Sequence, residues 1–338
     1  MSLNIIEAAG LAQDPKVLVL KVLEWIGQPV ALSCSKIDQT GVECGNILKL
    51  QKNNQTFRWE CGKRLCKFKS SCFAGSIFSE MRLPIEEVVY FLIMWCKDFT
   101  YPQMRAVGIK WSQRTFVKWS WFLREILVCF YEHKGEKIGG EGHKVQIDES
   151  LFGHRKYNRG KMLNEQWVFG GIDETTGKVF MQVVEKRNEE TLTAIIKKNI
   201  KDHTEIVSDC WSAYVNNKKG KSKLTRLGRG YEHIWVNHSE NFTDPKSGAN
   251  TNRIEVSWRW AKRVCTSTSR RKYYLPGYLA KYVFEKSCNV TNKERMIEIL
   301  KISSEVFHHD WKRRIPERNP IRPQNLDDEG EFSDDEEI

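Results

Sequence analysis

Apolar residues recur at helical spacing in much of the amino-terminal part of the chain. The pattern is present in PKVLVLKVLEWI, in LPIEEVVYFLIMWCKDF (83–99) and in KWSQRTFVKWSWFLREILVCFYEH (110–133). Pro84 occupies a tolerated first-turn position, and Ser112 is well placed as an N-cap. These segments predict helices, whereas the polar stretch from Cys34 to about Phe78 predicts irregular structure.

From Lys144 onwards, short strand patterns replace the long helical ones. Strands are predicted at KVQID, QWVFGGID, KVFMQVVE, TEIVSD and YEHIWVNH, with DETTGK as a hairpin turn. Helices are predicted at NEETLTAIIKKNI, NRIEVSWRWAKRV and YLPGYLAKYVFEKSCN. Three strands able to pair as a meander, followed by alternating helices and strands, favour a mixed α/β sheet flanked by helices. An RNase H-like domain has this order.

The two long amino-terminal helices are separated by a short segment with turn chemistry. Gly108 lies where the turn would fall, and the following helix carries Gln113, Arg114 and Lys118. This arrangement is typical of a helix-turn-helix, whose second helix enters the major groove of DNA, so Arg114 and Lys118 are candidate DNA contacts. The alternative is a small helical bundle that only connects domains.

Charge divides the chain into a basic body and an acidic tail. The whole chain has a formal net charge of +11, but residues 327–338 hold eight acidic and no basic side chains, which leaves +19 on the rest. Such a body attracts polyanions, most commonly nucleic acid, and the tail is expected to be disordered. A membrane is the rival partner, but no apolar run approaches the roughly 20 residues that span a bilayer. No signal peptide is recognised either, so we expect no membrane partner.

Three carboxylates stand apart from the other acidic residues. Asp148 ends the first predicted strand of the α/β region, Asp209 ends the strand EIVSD, and Glu255 lies on a helix. Converging carboxylates suit Mg²⁺ or Mn²⁺, and two such ions about 4 Å apart can activate a water or 3′-hydroxyl and stabilise the departing oxygen. The alternative is that both aspartates are turn formers or N-caps and Glu255 is a surface residue, and spacing alone does not decide between these interpretations.

Ordered motifs around these carboxylates resemble one family of enzymes. They are IDES with FG close behind, GG after an apolar strand, VSDCWSAY, VNHS followed by NF, and TNRIEVSWRWAKR. Together they resemble the transposases of the Merlin superfamily of DNA transposons and their bacterial insertion-sequence relatives, which carry an ISXO-like transposase domain. The resemblance covers about residues 144–292. It implies a DDE-type transposase on an RNase H-like fold.

The resemblance also implies roles for individual residues. The first aspartate of the family corresponds to Asp148, the second to Asp209 and the final glutamate to Glu255, where some bacterial relatives have asparagine. The VNHS motif corresponds to Asn237 and His238. His238 is either a general base or a structural histidine hydrogen-bonded near the site.

Basic residues lie close to the first and last of these carboxylates. If Asp148 binds the catalytic metal, the loop after it can hold phosphates of the scissile strand, and the helix of Glu255 can contact the DNA backbone. The alternative is a solvated basic surface. The residues are His154, Arg155, Lys156, Arg159 and Lys161 in the loop, and Lys262 and Arg263 on the helix.

Members of the family often begin with a zinc ribbon, and this chain departs from that pattern. Its segments CSKIDQTGVEC and CGKRLC have longer gaps than the paired Cys-x-x-Cys knuckles of a ribbon. Either the chain carries a degenerate ribbon that binds structural Zn²⁺, or these cysteines are remnants and buried thiols. The expected ligand set is Cys34, Cys44, Cys61 and Cys66.

These predictions divide the chain into six regions. They are an amino-terminal helix (1–30), a zinc-ribbon-like region (31–80), a helix-turn-helix-like region (81–135), an RNase H-like DDE transposase domain (144–292), a basic extension (293–326) and an acidic tail (327–338).

The expected function is cut-and-paste DNA transposition, with metal-dependent strand cleavage and transfer at terminal inverted repeats. The reaction joins two transposon ends to target double-stranded DNA, so a homodimer or higher oligomer is implied. The alternatives are a transposase-derived DNA-binding protein without catalysis and a structure-specific nuclease of the same fold. Ten cysteines without regular spacing indicate a reducing compartment inside the cell. The nucleus is favoured if the host is eukaryotic, and the bacterial cytoplasm or nucleoid is the other location.

Overall fold

The computed structural model describes residues 10–54, 56–79, 83–153, 165–216, 221–236, 249–265, 273–291 and 294–308. The helices are α1 (Pro15–Trp25), α2 (Ile85–Trp95), α3 (Tyr101–Ala106), α4 (Gln113–Lys134), α5 (Glu189–Asn199), α6 (Asn252–Val264), α7 (Leu275–Thr291) and α8 (Arg295–His308). Within these ranges, no helix combines the length and apolarity needed to cross a membrane.

Within the described ranges, the strands form three sheets. They are β1 (Leu48–Asn53), β2 (Thr56–Cys61), β3 (Lys69–Ser71), β4 (Lys144–Phe152), β5 (Gln166–Asp173), β6 (Val179–Val184), β7 (Glu205–Asp209), β8 (Val215–Asn216), β9 (Lys221–Ser222) and β10 (Glu232–Val236).

The largest sheet has five strands in the order β10–β7–β4–β5–β6. Strands β4, β5 and β6 form the antiparallel meander that the sequence predicts, and β7 and β10 run parallel to β4. In the turn after β5, Oδ1 of Asp173 accepts the backbone N–H groups of Thr175 and Thr176 at 2.9 and 3.1 Å. This strand order, with these directions, is that of an RNase H-like domain. The predicted fold class is therefore confirmed.

Helices cover both faces of the five-stranded sheet. On one face, Leu192 of α5 shares a hydrophobic core with Ile147 of β4. On the other face, Ile254 of α6 and Leu279 of α7 share a core with Val168 of β5. Because side chains alternate along a strand, successive residues of β4 point to these two different environments.

The amino-terminal helices share a core with the last helix of the chain. Leu18 of α1, Leu92 of α2 and Leu123 of α4 belong to one buried cluster, which also contains Met296 and Leu300 of α8. From the sequence, residues 293–326 were described only as a basic extension. The structure has α8 at the start of this region, because its apolar residues recur at helical spacing and pack onto the amino-terminal core.

The cysteine-bearing region is also more regular than predicted. Strands β1, β2 and β3 form an antiparallel sheet. Leu48 and Leu50 of β1 and Phe57 and Trp59 of β2 are buried at alternate positions. This alternation was the available signal, and the polar residues between these positions concealed it.

A short helix and a turn precede the long helix α4. Gly108 has φ 102°, a conformation that favours glycine, and Oγ of Ser112 accepts the backbone N–H of Thr115 at the start of α4. Arg114 and Lys118 are exposed on the first turns of α4. The position of these two cations therefore leaves them accessible to a partner.

Candidate active site

The register of two parallel strands brings two of the predicted carboxylates together. Lys144 of β4 lies beside Glu205 of β7, and Gln146 lies beside Val207. The same register, continued by two residues, places Asp148 level with Asp209, the last residue of β7. Both aspartates therefore lie at the level where β7 ends, which we call the carboxylate edge. The prediction that Asp148 ends its own strand was wrong, because β4 continues for four residues to Phe152 and pairs there with β5.

Helix α6 is attached to β4 by two hydrogen bonds from one of its faces. Oε1 of Gln146 accepts the backbone N–H of Ile254 at 3.0 Å, and Nε1 of Trp258 donates to Oδ2 of Asp148 at 2.9 Å. Gln146 and Asp148 are two residues apart on one face of the strand, and Ile254 and Trp258 are four apart on one face of the helix. This fixes the position of α6, and with it Glu255, relative to Asp148.

The double glycine of β5 makes room for this attachment. Gly170 pairs with Asp148 in the sheet, and a Cβ atom at Gly170 would lie 2.7 Å from the Trp258 ring. A Cβ atom at Gly171 would lie 2.5 Å from the ring of Phe180. The GG motif is therefore a packing requirement of the candidate site.

Burial and neighbouring charges shift the ionisation of Asp148. The pKa of Asp148 is raised to about 6, chiefly by burial and also by the Asp209 and Glu255 carboxylates, while the Glu149 backbone N–H and the Trp258 indole oppose the rise. Glu255 is exposed, and its Oε1 accepts the hydroxyl of Thr251 at 3.2 Å. Because the charges of Asp209 and Glu255 both act on Asp148, the three carboxylates lie in one region of the structure.

Glu149 is a further carboxylate at this edge, and sequence analysis did not single it out. It points to the opposite face of β4 from Asp148, where the hydroxyl of Tyr214 donates to its Oε1. The pKa of Glu149 is raised to about 7, chiefly by burial, with smaller contributions from the charges of Asp209 and Asp148. The signal was the adjacent acidic pair in IDES, but its partner Tyr214 lies 65 residues away along the chain.

His233 is a second residue that sequence analysis did not identify. Its Nε2 lies 2.9 Å from Oγ of Ser208, and its Nδ1 lies 2.8 Å from Oγ of Ser222. Burial lowers the pKa of His233 to about 4, so the ring is neutral near pH 7. Because Ser208 directly precedes Asp209, this neutral ring supports the strand end that carries the aspartate.

Several predicted site residues lie outside the described part of the chain. They are Asn237 and His238 of the VNHS motif, and His154, Arg155, Lys156, Arg159 and Lys161 of the basic loop.

The two basic residues predicted on α6 are described, and both are exposed. Nζ of Lys262 lies 5.5 Å from the centroid of the Phe152 ring, and the guanidinium of Arg263 lies 5.4 Å from that of Trp260. The Trp260 side chain is itself 48% exposed. The helix of Glu255 thus presents a basic and aromatic surface to solvent.

Four thiols converge in the amino-terminal region, and they are those of the predicted zinc set. The sulfur atoms of Cys34, Cys44, Cys61 and Cys66 all lie within 4.8 Å of one another. The distance between the Sγ atoms of Cys34 and Cys66 is 3.5 Å, and that between the Sγ atoms of Cys44 and Cys61 is 3.8 Å. Four thiolates around a tetrahedral Zn²⁺ with Zn–S bonds of about 2.3 Å have sulfur atoms about 3.8 Å apart, so this donor set fits zinc.

Backbone groups around the cysteines support the same interpretation. The backbone N–H of Lys63 donates to the Cys61 sulfur and lowers the pKa of that thiol to about 7. The backbone N–H of Lys36 makes the equivalent contact to Cys34, but burial outweighs it and raises the pKa of that thiol to about 12, so without a metal ion Cys34 is protonated. The fifth cysteine of the region, Cys72, is buried away from the cluster, where its thiol lies 3.1 Å from the carbonyl oxygen of Phe57. Within the described residues, the three carboxylates are not gathered as tightly as these four thiols.

Comparison with known proteins matched part of the chain to one family. Residues 139–286 match the model of the ISXO2-like transposase domain. No curated protein matched the chain.

The solved structures to which part of the chain is similar include those of an intasome and an integrase catalytic core. A simian T-cell lymphotropic virus intasome in complex with a PP2A regulatory subunit matches 44% of this chain and 49% of its own, at 13% identity and a TM-score of 0.30. The HTLV-2 integrase catalytic core in complex with magnesium matches 43% of this chain and 85% of its own, at 12% identity and a TM-score of 0.28. At these TM-scores, the fold assignment depends on the strand order described above.

Proposed function

We propose, from the ISXO2-like transposase domain that this chain carries, that the protein is a DNA transposase that cleaves and transfers strands at terminal inverted repeats. The observation that supports this most is the placement of Asp148 and Asp209 on adjacent parallel strands, with Glu255 fixed beside them by the contacts of α6. Carboxylates at one sheet edge are the donors that hard divalent cations prefer.

Asp148, Asp209 and Glu255 would hold the two Mg²⁺ or Mn²⁺ ions of such an enzyme. When bound, these ions supply activation of the attacking water or 3′-hydroxyl and stabilisation of the departing oxygen. The protein's own contribution is orientation. Trp258 holds one oxygen of Asp148, and the backbone N–H of Trp211 donates to Oδ1 of Asp209 at 3.1 Å. Each aspartate therefore keeps a fixed direction before the ions bind.

DNA would lie across this edge and along the exposed cations of two helices. Lys262 and Arg263 follow Glu255 on α6, and Arg114 and Lys118 lie at the start of α4. The basic loop residues Arg155, Lys156, Arg159 and Lys161 remain candidates for the same role. Phosphate contacts of this kind are independent of sequence and weaken as salt rises.

Zn²⁺ bound by Cys34, Cys44, Cys61 and Cys66 would have a structural role. A closed set of four thiolates leaves no open position for a substrate. Buried residues of the small sheet belong to the same core as α1, α2 and α4. Zinc in this position would therefore stabilise the region that carries Arg114 and Lys118.

A homodimer or larger assembly is part of this proposal, because cut-and-paste transposition requires two DNA ends in one complex. The nucleus is the favoured location for a eukaryotic host, and the nucleoid for a bacterial one. A second candidate function is a transposase-derived DNA-binding protein without catalysis. The presence of all three carboxylates argues against that alternative.

A cleavage map tests the proposal against its alternatives. The full chain is incubated with Mn²⁺ and a plasmid that carries the DNA flanking its gene, and the cut sites and joined products are sequenced. A transposase cuts at both repeat boundaries and joins the released 3′ ends to new DNA. A structure-specific nuclease cuts without regard to the repeats, and a DNA-binding protein protects the flanks without cutting them.

A further inference from the structure

Arg187 is held against two tryptophan rings in the loop between β6 and α5. Its guanidinium carbon lies 3.4 Å from the centroid of the Trp167 ring and 5.0 Å from that of Trp211. Contacts of a guanidinium with indole faces are favourable cation–π interactions, and two of them restrict the rotamers of a long side chain. Arg187 therefore has a defined position although it is only half-buried.

Both tryptophans connect Arg187 to the carboxylate edge. Trp211 follows Asp209 by two residues, and its backbone N–H is the donor to that carboxylate. Its indole Nε1 lies 3.5 Å from the carbonyl oxygen of Arg187. Trp167 pairs with Leu151 of β4, two residues beyond Glu149. The positive charge of Arg187 acts on Glu149, where it opposes the rise in pKa that burial causes.

The N–H groups of the Arg187 guanidinium form no hydrogen bond or ion pair with any residue in the described part of the chain. Arg229 differs in this respect, since its Nη1 donates to both oxygens of Asp202 at 3.2 and 3.3 Å. Stacking uses the faces of a guanidinium and leaves the N–H groups at its edge directed outward. A planar fork of donors is suited to two parallel hydrogen bonds with a phosphate.

We propose that Arg187 binds a phosphate of the DNA strand that lies at the carboxylate edge, and so positions this strand for the reaction. The inference rests on the proposed function, because it requires DNA at that edge. Arg187 is a positioning residue in this account. Since Trp167 and Trp211 already order its side chain, phosphate binding loses little conformational entropy.

The rival explanation is that Arg187 only compensates the buried charge of Glu149. The two explanations differ in what happens when a single phosphate loses its charge. A phosphate contact disappears in that case, whereas compensation of Glu149 is unaffected. A scan with uncharged phosphates therefore separates them.

The scan uses duplexes of the DNA flanking the gene, each with a methylphosphonate at one backbone position, and the full chain in buffer without added Mg²⁺ or Mn²⁺ so that no cleavage occurs. Binding is compared for wild type, Arg187→Gln and Arg187→Lys. Glutamine keeps a planar group on the indole rings but removes the charge. Lysine keeps the charge but cannot donate two parallel hydrogen bonds from one planar group. Arg229→Ala is the matched control, because its guanidinium already has a carboxylate partner.

We expect one position, or two adjacent ones, at which the methylphosphonate weakens wild-type binding about ten- to a hundredfold but leaves Arg187→Gln unaffected. Arg187→Gln should also reduce the slope of log K for DNA binding against log salt concentration, by the amount that corresponds to about one phosphate contact. Arg187→Lys should preserve this slope. Equal sensitivity of wild type and Arg187→Gln at every position would overturn the inference. If wild type neither binds nor cuts the flanking DNA, the proposed function itself fails.

Discussion

The indole of Trp258 donates a hydrogen bond to Oδ2 of Asp148 at 2.9 Å, although the two residues are 110 positions apart in the chain. Its ring occupies the space above Gly170, the residue that pairs with Asp148 across the sheet. One tryptophan thus connects the helix that carries Glu255 to the strand that carries Asp148. The position of Glu255 relative to Asp148 depends on this contact.

Replacement of Trp258 by phenylalanine should slow cleavage while leaving DNA affinity unchanged. The smaller ring retains most of the packing but cannot donate to Asp148, so the carboxylate loses its fixed direction. We expect kcat to fall about ten- to a hundredfold with little change in KM, since a hydrogen bond to a charged group is worth about 1.5–3 kcal/mol. Trp260→Phe, on the exposed side of the same helix, is the control. Equal kcat values for the two variants would show that the indole does not position Asp148.

Addition of a methyl group at Gly170 should disturb both stability and activity. A Cβ atom there would lie 2.7 Å from the Trp258 ring and 2.9 Å from the carbonyl oxygen of Phe180. Overpacking of this kind costs about 1–3 kcal/mol, and we expect Gly170→Ala to lower the free energy of unfolding by that amount and to reduce cleavage. Urea titration measures the first effect. Gly10→Ala, where no atom lies within 4 Å of the new Cβ, should unfold like wild type.

His233 should make stability depend on pH in a particular window. Its pKa is lowered from 6.5 to about 4 in the folded protein, so the neutral ring stabilises the fold fully above pH 6.5. As the pH falls from 6.5 towards 4, this contribution is lost, with a total on the order of 2–3 kcal/mol. Urea titrations of wild type and His233→Gln at pH 7.5 and pH 5 isolate the effect. The variant should lose less stability than wild type on acidification, and a parallel loss in both proteins would contradict the assignment.

Zinc content and stability should change together when a cluster cysteine is replaced. We expect about one zinc per chain in the wild type, as for a structural site with four thiolates, and loss of that zinc in Cys61→Ser. The variant should melt at a lower temperature. Elemental analysis and thermal unfolding measure the two quantities, with Cys210→Ser as a control outside the cluster. Retention of zinc by Cys61→Ser would exclude Cys61 as a ligand.

The start of α4 should contribute to DNA binding. Arg114→Ala and Lys118→Ala should each weaken DNA binding. Each should also reduce the slope of log K against log salt concentration, by the amount that corresponds to one phosphate contact or less. Binding isotherms at several salt concentrations measure both effects, and Lys197→Ala near the end of α5 is the control. If neither variant differs from this control, the region is a helical bundle that connects domains.

Local patterns were sufficient to predict most of the RNase H-like region. The segments QWVFGGID and NRIEVSWRWAKRV coincide with β5 and α6, because alternation and helical periodicity are strong there. Asp209 ends its strand as predicted, but Asp148 lies in the middle of β4, because that strand pairs with β5 as far as Phe152. The DNA-contact, metal-binding and catalytic roles assigned to individual residues are still predictions.

The residues missed by sequence analysis have partners that are distant in the chain. Glu149 needs Tyr214, and Arg187 needs Trp167 and Trp211, so no local pattern distinguishes them from ordinary surface charges.

The irregular cysteine spacing has a similar explanation. A bridge between Ile37 and Glu43 closes a small hairpin, which brings Cys34 and Cys44 together despite the long gap between them.

The decisive experiment compares two substitutions of the same kind, one at Asp148 on β4 and one at Asp202 in the turn before β7. Asp148→Asn preserves an acceptor for Trp258 but removes the charge at the carboxylate edge, whereas Asp202→Asn changes an exposed partner of Arg229. Each full-length variant is incubated with Mn²⁺ and the plasmid carrying the flanking DNA. If Asp148 binds a catalytic metal ion, wild type and Asp202→Asn cut at the repeat boundaries, and Asp148→Asn binds this DNA without cutting it. Cleavage by Asp148→Asn at the rate of Asp202→Asn would show that Asp148 has no part in the reaction.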